Sequence, residues 1–215
     1  HNGFLSMQGM KSYLQVSSEI GILAVGVALL MISGEFDLSI GSLIGFSSMS
    51  ITLLTVEGNM SIPLASLCSL LLTIFVGYCN GLTVVKSGLP SFIITLGSLF
   101  IVRGLTIAVS KIITGRTQLG GISESSGYDF MSSLFSSNLT ISGVDFPISI
   151  LWWILFVIVG YFLLNHTQIG NWIFATGASK ESSMLMGIPV VQVKISLFIV
   201  TAFCAWFIAV IQVTT

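Results

Sequence analysis

The chain has 215 residues, 54% of them hydrophobic and only 7% charged, with a formal net charge of -1 and a mean hydropathy of +1.03. Typical globular domains carry about 25% charged residues, so seven Lys and Arg with eight Asp and Glu cannot clothe a soluble surface. The composition excludes a soluble domain, a disordered chain and a coiled coil, and the near-neutral charge gives no footing for nucleic acid; an integral membrane protein is expected.

With about 20 residues per membrane crossing, apolar stretches fall in chain order at residues 20–33, 40–56, 62–85, 92–110, 147–164 and 194–213. The expected fold is all-α, a polytopic transmembrane helical bundle of about six crossings in one domain over residues 1–215. The chain opens without Met and stops inside an apolar run, and reads as a piece cut at both ends. The first two stretches are separated only by residues 34–39. Joined, they would make about 55 Å of helix at 1.5 Å per residue, too long for one straight crossing. A break is therefore expected at 34–39, either a tight turn between two crossings or an unwound patch inside the membrane.

Two connections are long. Residues 114–146 are rich in Ser and Gly, and residues 165–193 carry Lys180 and Glu181. Lys and Arg favour the cytoplasmic side; Lys86, Lys180 and Lys194 then place 165–193 in the cytoplasm and 114–146 outside. By parity, stretch 20–33 runs inward and 40–56 outward, leaving residues 1–17 outside. Gly41 with Gly45, and Gly77 with Gly81, are G-x-x-x-G pairs that let helix backbones approach closely. Cys68, Cys79 and Cys204 lie in apolar runs and read as buried small hydrophobes. With only His1 and His166 beside them, neither a metal site, a cofactor site nor a catalytic triad is expected.

Some polar groups stand where lipid forbids them. Arg103 lies near the middle of stretch 92–110, where insertion costs about 2.5–3.5 kcal/mol. It must face protein, water or an acid, either pairing with Asp37 or Glu35 or capping backbone carbonyls inside the bundle; Thr106 and Ser110 extend its polar stripe. Glu35 and Asp37 sit at the break. Free backbone groups survive there only beside protein or a watery cavity; otherwise the segment is a surface turn with Asp37 capping the helix that begins at Ile40. Asn80, beside Gly81, needs a partner across helices.

Around these groups the sequence resembles a known family. Gly34-Glu35-Phe36-Asp37-Leu38-Ser39-Ile40-Gly41-Ser42 is similar to the G-[GE]-I-D-L-S-V-G-S signature of ribose-type permeases of ABC importers. Gly77 through Val85 resembles their G-x-x-N-G-x-x-V segment. Leu89-Pro90-Ser91-Phe92-Ile93-Ile94-Thr95-Leu96-Gly97, then Arg103-Gly104, resembles P-x-F-I-x-T-L-G followed by R-G. Thr167-Gln168-Ile169-Gly170, Ala175-Thr176-Gly177 and Gly187-Ile188 resemble positions of the family's cytoplasmic loop. Phe36 departs from the pattern, replacing a usual aliphatic residue.

The resemblance implies a non-enzymatic permease subunit of a bacterial inner-membrane importer. Its expected partners are a cytoplasmic ATP-binding subunit, a periplasmic sugar-binding protein and a second permease subunit, with a monosaccharide as the solute. A furanose signal, a nucleoside, a branched-chain amino acid or a secondary transporter are the alternatives. It implies pathway or gating roles for Gly34, Glu35, Asp37, Ser39, Asn80, Thr95 and Arg103, and ATPase coupling through Gly177, Glu181, Leu185 and Gly187. The loop's own residues agree with a docking helix over 180–186. Ser179 caps it, Glu181 sits near its positive end, Gly187 ends it, and Met184-Leu185-Met186 form an apolar cluster.

Overall fold

The computed structural model describes residues 7–141 and 144–215. Among these residues the chain forms nine α-helices and one hairpin: α1 (Met7–Ile32), α2 (Ile40–Val56), α3 (Ile62–Ser87), α4 (Ser91–Thr114), α5 (Tyr128–Phe135), β1 (Asn138–Ile141), β2 (Val144–Pro147), α6 (Ser149–His166), α7 (Gln168–Ala178), α8 (Lys180–Leu185) and α9 (Val190–Thr214). The fold is an all-α helical bundle. Helices α1 (from Gly9), α3, α4, α6 and α9 are long and apolar enough to cross a bilayer, whereas α2 has 17 residues, about 26 Å at 1.5 Å per residue. The chain is a multi-pass membrane protein.

Helix α9 is the axis. It packs against α1, α2 and α3, with α6 laid on the outside of α1 and α4 on the outside of α2 and α3. Phe198, Ala202 and Ala205 of α9 are fully buried. One glycine pair makes this possible. A β-carbon on Gly77 would meet Ala202 and the Phe198 carbonyl at 2.6 and 2.8 Å, and one on Gly81 would meet Ile195 Cα at 3.0 Å. The other pair is not used for packing, since Gly41 and Gly45 meet no atom within 4 Å.

Helices α1 and α2 run in opposite senses along α9. Glu19 of α1 accepts from Gln212 near the end of α9 (3.1 Å), and Gly26 lies against Cys204. Within the break, Glu35 meets Lys194 and Asp37 meets Thr201. The chain thus reverses at residues 33–39, and α1 and α2 each pack on α9 far more than on each other.

Three expectations about connections need correcting. Helix α1 begins at Met7 rather than near residue 20. No Gly or Pro breaker stands between Met10 and Ile20, and this polar extension packs on β2. The stretch 114–146 contains α5 and most of the antiparallel hairpin, in which Asn138 pairs with Pro147 and Thr140 with Asp145. It covers the end of α9, where Phe135 stacks on Trp152 and Phe207 meets both rings edge-on. The stretch 165–193 is mostly helical, with α7 filling its first half and α9 starting at Val190, four residues before the stretch read as 194–213.

Candidate functional site: the break and its surroundings

Residues 33–39 leave the helix ladder, so each freed N–H needs another partner. Gly34 turns the chain with φ +84°, and its N–H and that of Glu35 still donate back to the carbonyls of Met31 and Leu30. Beyond it burial alternates residue by residue: Glu35, Asp37 and Ser39 are buried while Phe36 and Leu38 are exposed.

The polar partners come from three helices. The Phe36 N–H donates to Ser91 Oγ (2.9 Å) and the Leu38 N–H to Thr95 Oγ1 (3.0 Å), both from the start of α4. Thr95 is fully buried and donates to its own helix at the Ser91 carbonyl (2.8 Å). Asn80 of α3 donates to Ser39 Oγ (3.0 Å). From α9, the Thr201 hydroxyl is shared between the Phe198 carbonyl (2.9 Å) and Asp37 Oδ2 (3.2 Å).

Asp37 and Glu35 are both 8% exposed. Asp37 Oδ1 accepts from the Ser39 N–H and hydroxyl at 2.8 and 2.6 Å. This is a turn closed two residues on, not a cap on the first turn of α2. Ser39 immediately precedes α2 without a side-chain cap bond, and its carbonyl accepts from the Leu43 N–H (2.9 Å). Glu35 forms an ion pair with Lys194. A cavity of about 250 Å³ lies beside this pair, lined also by Gly88, Pro90, Lys180 and Val190.

Arg103 departs from expectation. It forms no ion pair or hydrogen bond with a described residue, and the acids it was expected to meet are taken, Glu35 by Lys194 and Asp37 by Ser39 and Thr201. Arg103 is eight residues beyond Thr95 on α4, about 12 Å along the axis, and faces outward into a cleft between α4 and α2 with Gly41, Gly45 and Thr106. Ser110 does not continue the stripe, as it donates to the Arg116 carbonyl at the helix end (2.8 Å).

The second set of expected residues surrounds α8. Ser179 Oγ accepts from the Ser182 N–H (3.3 Å) and Glu181 lies in the first turn. The helix closes when Gly187 takes φ +79°, with its N–H on the Met184 carbonyl and the Ile188 N–H on Ser183 (both 3.0 Å). That double closure satisfies the orphan carbonyls of the last turn. Leu185 is 90% exposed, flanked by exposed Met184 and Met186. Gly177, at the end of α7, lies directly on the Ile32 carbonyl of α1, where a β-carbon would collide with the oxygen. Gly170 is likewise confined by the Leu163 and Leu164 carbonyls at the α6–α7 corner.

The sequence did not point to Ser91, Thr201 or Lys194 as partners of the break. Ser91 and Thr201 look like ordinary hydroxyls in apolar runs, and Lys194 serves there only as a sidedness marker. Its one distinguishing signal is a lysine inside an apolar helix when a glutamate sits at a break in the membrane-spanning stretch.

Residues 9–215 match a family model described as branched-chain amino acid transport system / permease component. Three similar relatives are a xylose/arabinose import permease of Sulfolobus acidocaldarius (30% identical, covering 99% of this chain and 57% of the relative), a fructose import permease of Rhizobium meliloti (28%, 94% and 56%) and a ribose import permease of Haemophilus influenzae (28%, 93% and 59%). The chain thus spans less than two thirds of each. No solved structure matches.

Proposed function

The chain belongs to the branched-chain amino acid transport system / permease component family, and on that footing we propose that it is the membrane-spanning permease subunit of an ABC importer for a monosaccharide. The observation that carries the choice of solute is the set of relatives. Import permeases for xylose/arabinose, fructose and ribose align over 93–99% of this chain, whereas branched-chain amino acids appear only in the family's general description. The subunit has no enzymatic step of its own. It works with a cytoplasmic ATP-binding subunit, a periplasmic sugar-binding protein and a second permease copy, in a bacterial inner membrane.

In this reading the break gates the pathway. Gly34, Glu35, Asp37, Ser39, Asn80 and Thr95 form one polar knot joining α1, α2, α3, α4 and α9, so a shift of one helix against another must strain it. The α8 tip is the ATPase contact. Its exposed Met184, Leu185 and Met186 suit a partner groove, and Gly177 ties the preceding helix to the end of α1, one turn before Glu35. Supporting it are the placement of the break, the start of α9 and α8 at one end of the bundle, and of α5 and the hairpin at the other.

The test is uptake of radiolabelled xylose, arabinose, ribose, fructose and leucine by cells carrying the full importer. Uptake of a sugar, dependent on the ATP-binding subunit and unaffected by excess leucine, is expected. Leucine uptake with no sugar uptake would transfer the protein to the amino-acid reading.

A further inference from the structure

Two cavities join along the outward side of α2. One, about 500 Å³, is lined by Gly41, Ser42, Gly45 and Met49 of α2 and by Arg103 and Thr106 of α4. The other, about 620 Å³, continues from Gly45 and Met49 past Ser48 and Thr52 to Gln118 and Gln212 at the hairpin end. Together they form one cleft, from that end of the bundle down to Gly41, two residues past the break.

Its single charge is Arg103. The residue lies twelve positions from Ser91 and eleven from Thr114, about 18 and 16 Å along the axis, too far for its side chain to reach either end of the helix. No described residue pairs with it. A lipid chain or a dry apolar helix seated on the cleft would leave that charge without water or counter-charge, and intramembrane charges do not persist so. Water satisfies it. The floor is backbone, because Gly41 and Gly45 present no side chain, so a solute can approach α2 closely.

We propose that this cleft is a wall of the solute passage and that Arg103 reads the solute in it. A guanidinium carries five N–H donors in a fixed fork and accepts nothing, which fits the adjacent hydroxyl oxygens of a neutral monosaccharide. Met49, Phe46 and Ile107 supply apolar surface for its C–H faces. The proposal rests on the permease reading and adds the path and the recognising group.

The test uses the assembled importer in inside-out and right-side-out vesicles, with Cys68, Cys79 and Cys204 replaced by alanine and single cysteines introduced by Gly45→Cys, Thr106→Cys or, as lipid-facing control, Leu71→Cys. Gly45 has open space for a β-carbon and Leu71 is exposed. The reporter is an anionic, membrane-impermeant methanethiosulfonate, which reacts with thiolates and hence with wetted cysteines. Cleft cysteines are expected to react about tenfold faster than Cys at 71, more slowly when a transported sugar is present, because thiolate formation requires water. Adding Arg103→Met is expected to abolish the sugar protection while an uncharged reagent still enters. Cleft cysteines as slow as the control, or covered by a second copy or another helix, would overturn the proposal, as would protection that survives Arg103→Met. Wild-type uptake, measured alongside, separates the two readings: sugar uptake with an unreactive cleft removes this proposal alone.

Discussion

Lys194, in the second turn of α9, forms with Glu35 the one ion pair among the described residues, and it joins positions 159 apart in sequence across the base of the bundle. Both side chains are largely buried, so removing one partner strands the other. Lys194→Met is expected to destabilise the protein by about 3–5 kcal/mol, whereas Glu35→Leu with Lys194→Met is expected to be much milder than the sum of the single changes. Thermal unfolding of the purified complex in detergent reads this. Strict additivity would show that the pair contributes no mutual stabilisation.

Asp37→Ala removes the acceptor for the Ser39 N–H, the Ser39 hydroxyl and Thr201. Each buried donor left unpaired costs about 1–3 kcal/mol, and α2 loses the turn that fixes its start. Uptake is expected to vanish at normal membrane levels. Phe36→Ile, on the outward face of the same segment, is expected to retain uptake. Immunoblotting of membranes beside radiolabel uptake separates the two; wild-type uptake by Asp37→Ala would remove the break from the mechanism.

Gly177→Ala is expected to act through packing. Its new methyl group meets the Ile32 carbonyl, and overpacking of this kind costs about 1–3 kcal/mol. Because α7 would be forced away from α1, a loss of coupling exceeding the loss of thermal stability is expected, read as ATP hydrolysis without uptake.

Leu185→Asp changes a side chain that touches almost nothing within the chain, so unfolding temperature is expected to stay unchanged while transport-coupled ATP hydrolysis falls. A cysteine at Ser182 is expected to crosslink to the ATP-binding subunit in the assembled importer. Crosslinks to lipid alone would make α8 a membrane-surface helix.

Sidedness has its own test. In a background with Cys68, Cys79 and Cys204 replaced, a cysteine at Ser125 is expected to react from outside and one at Ser182 from the cytoplasm. Labelling of the Ser125 position only from the cytoplasm would invert the topology.

What the sequence revealed depended on whether the signal was local. Helix α2 matches the stretch read as 40–56 because Ser39 starts it and Glu57-Gly58 stops it within a residue or two. The α8 helix matches for the same reason, with Ser179 and Gly187 both acting on their near neighbours. The expected acid partner of Arg103 does not materialise, because periodicity says which residues share a helix face but not what that face meets. Its supposed partner, Glu35, had a closer cation on α9. The two G-x-x-x-G pairs look identical in sequence, yet only Gly77 and Gly81 lie against another helix. The polar extension of α1 was missed because its stability comes from packing on β2, a long-range contact that no local pattern records.

The order in which the knot at the break is synthesised differs from the order in which it can be tied. Glu35 and Asp37 leave the ribosome 159 and 164 residues ahead of Lys194 and Thr201, an interval of roughly 8–30 s at about 5–20 residues per second. Throughout that time the two carboxylates have no α9 to receive them. The pair α1–α2 therefore cannot reach its final depth when it enters the membrane. It must wait with its link at a wet surface, or held by the insertion machinery, until the last described helix arrives. Biogenesis of this protein is consequently most vulnerable in its early-middle phase, and a stalled nascent chain ending before residue 194 is the form that cellular quality control should recognise as unfinished.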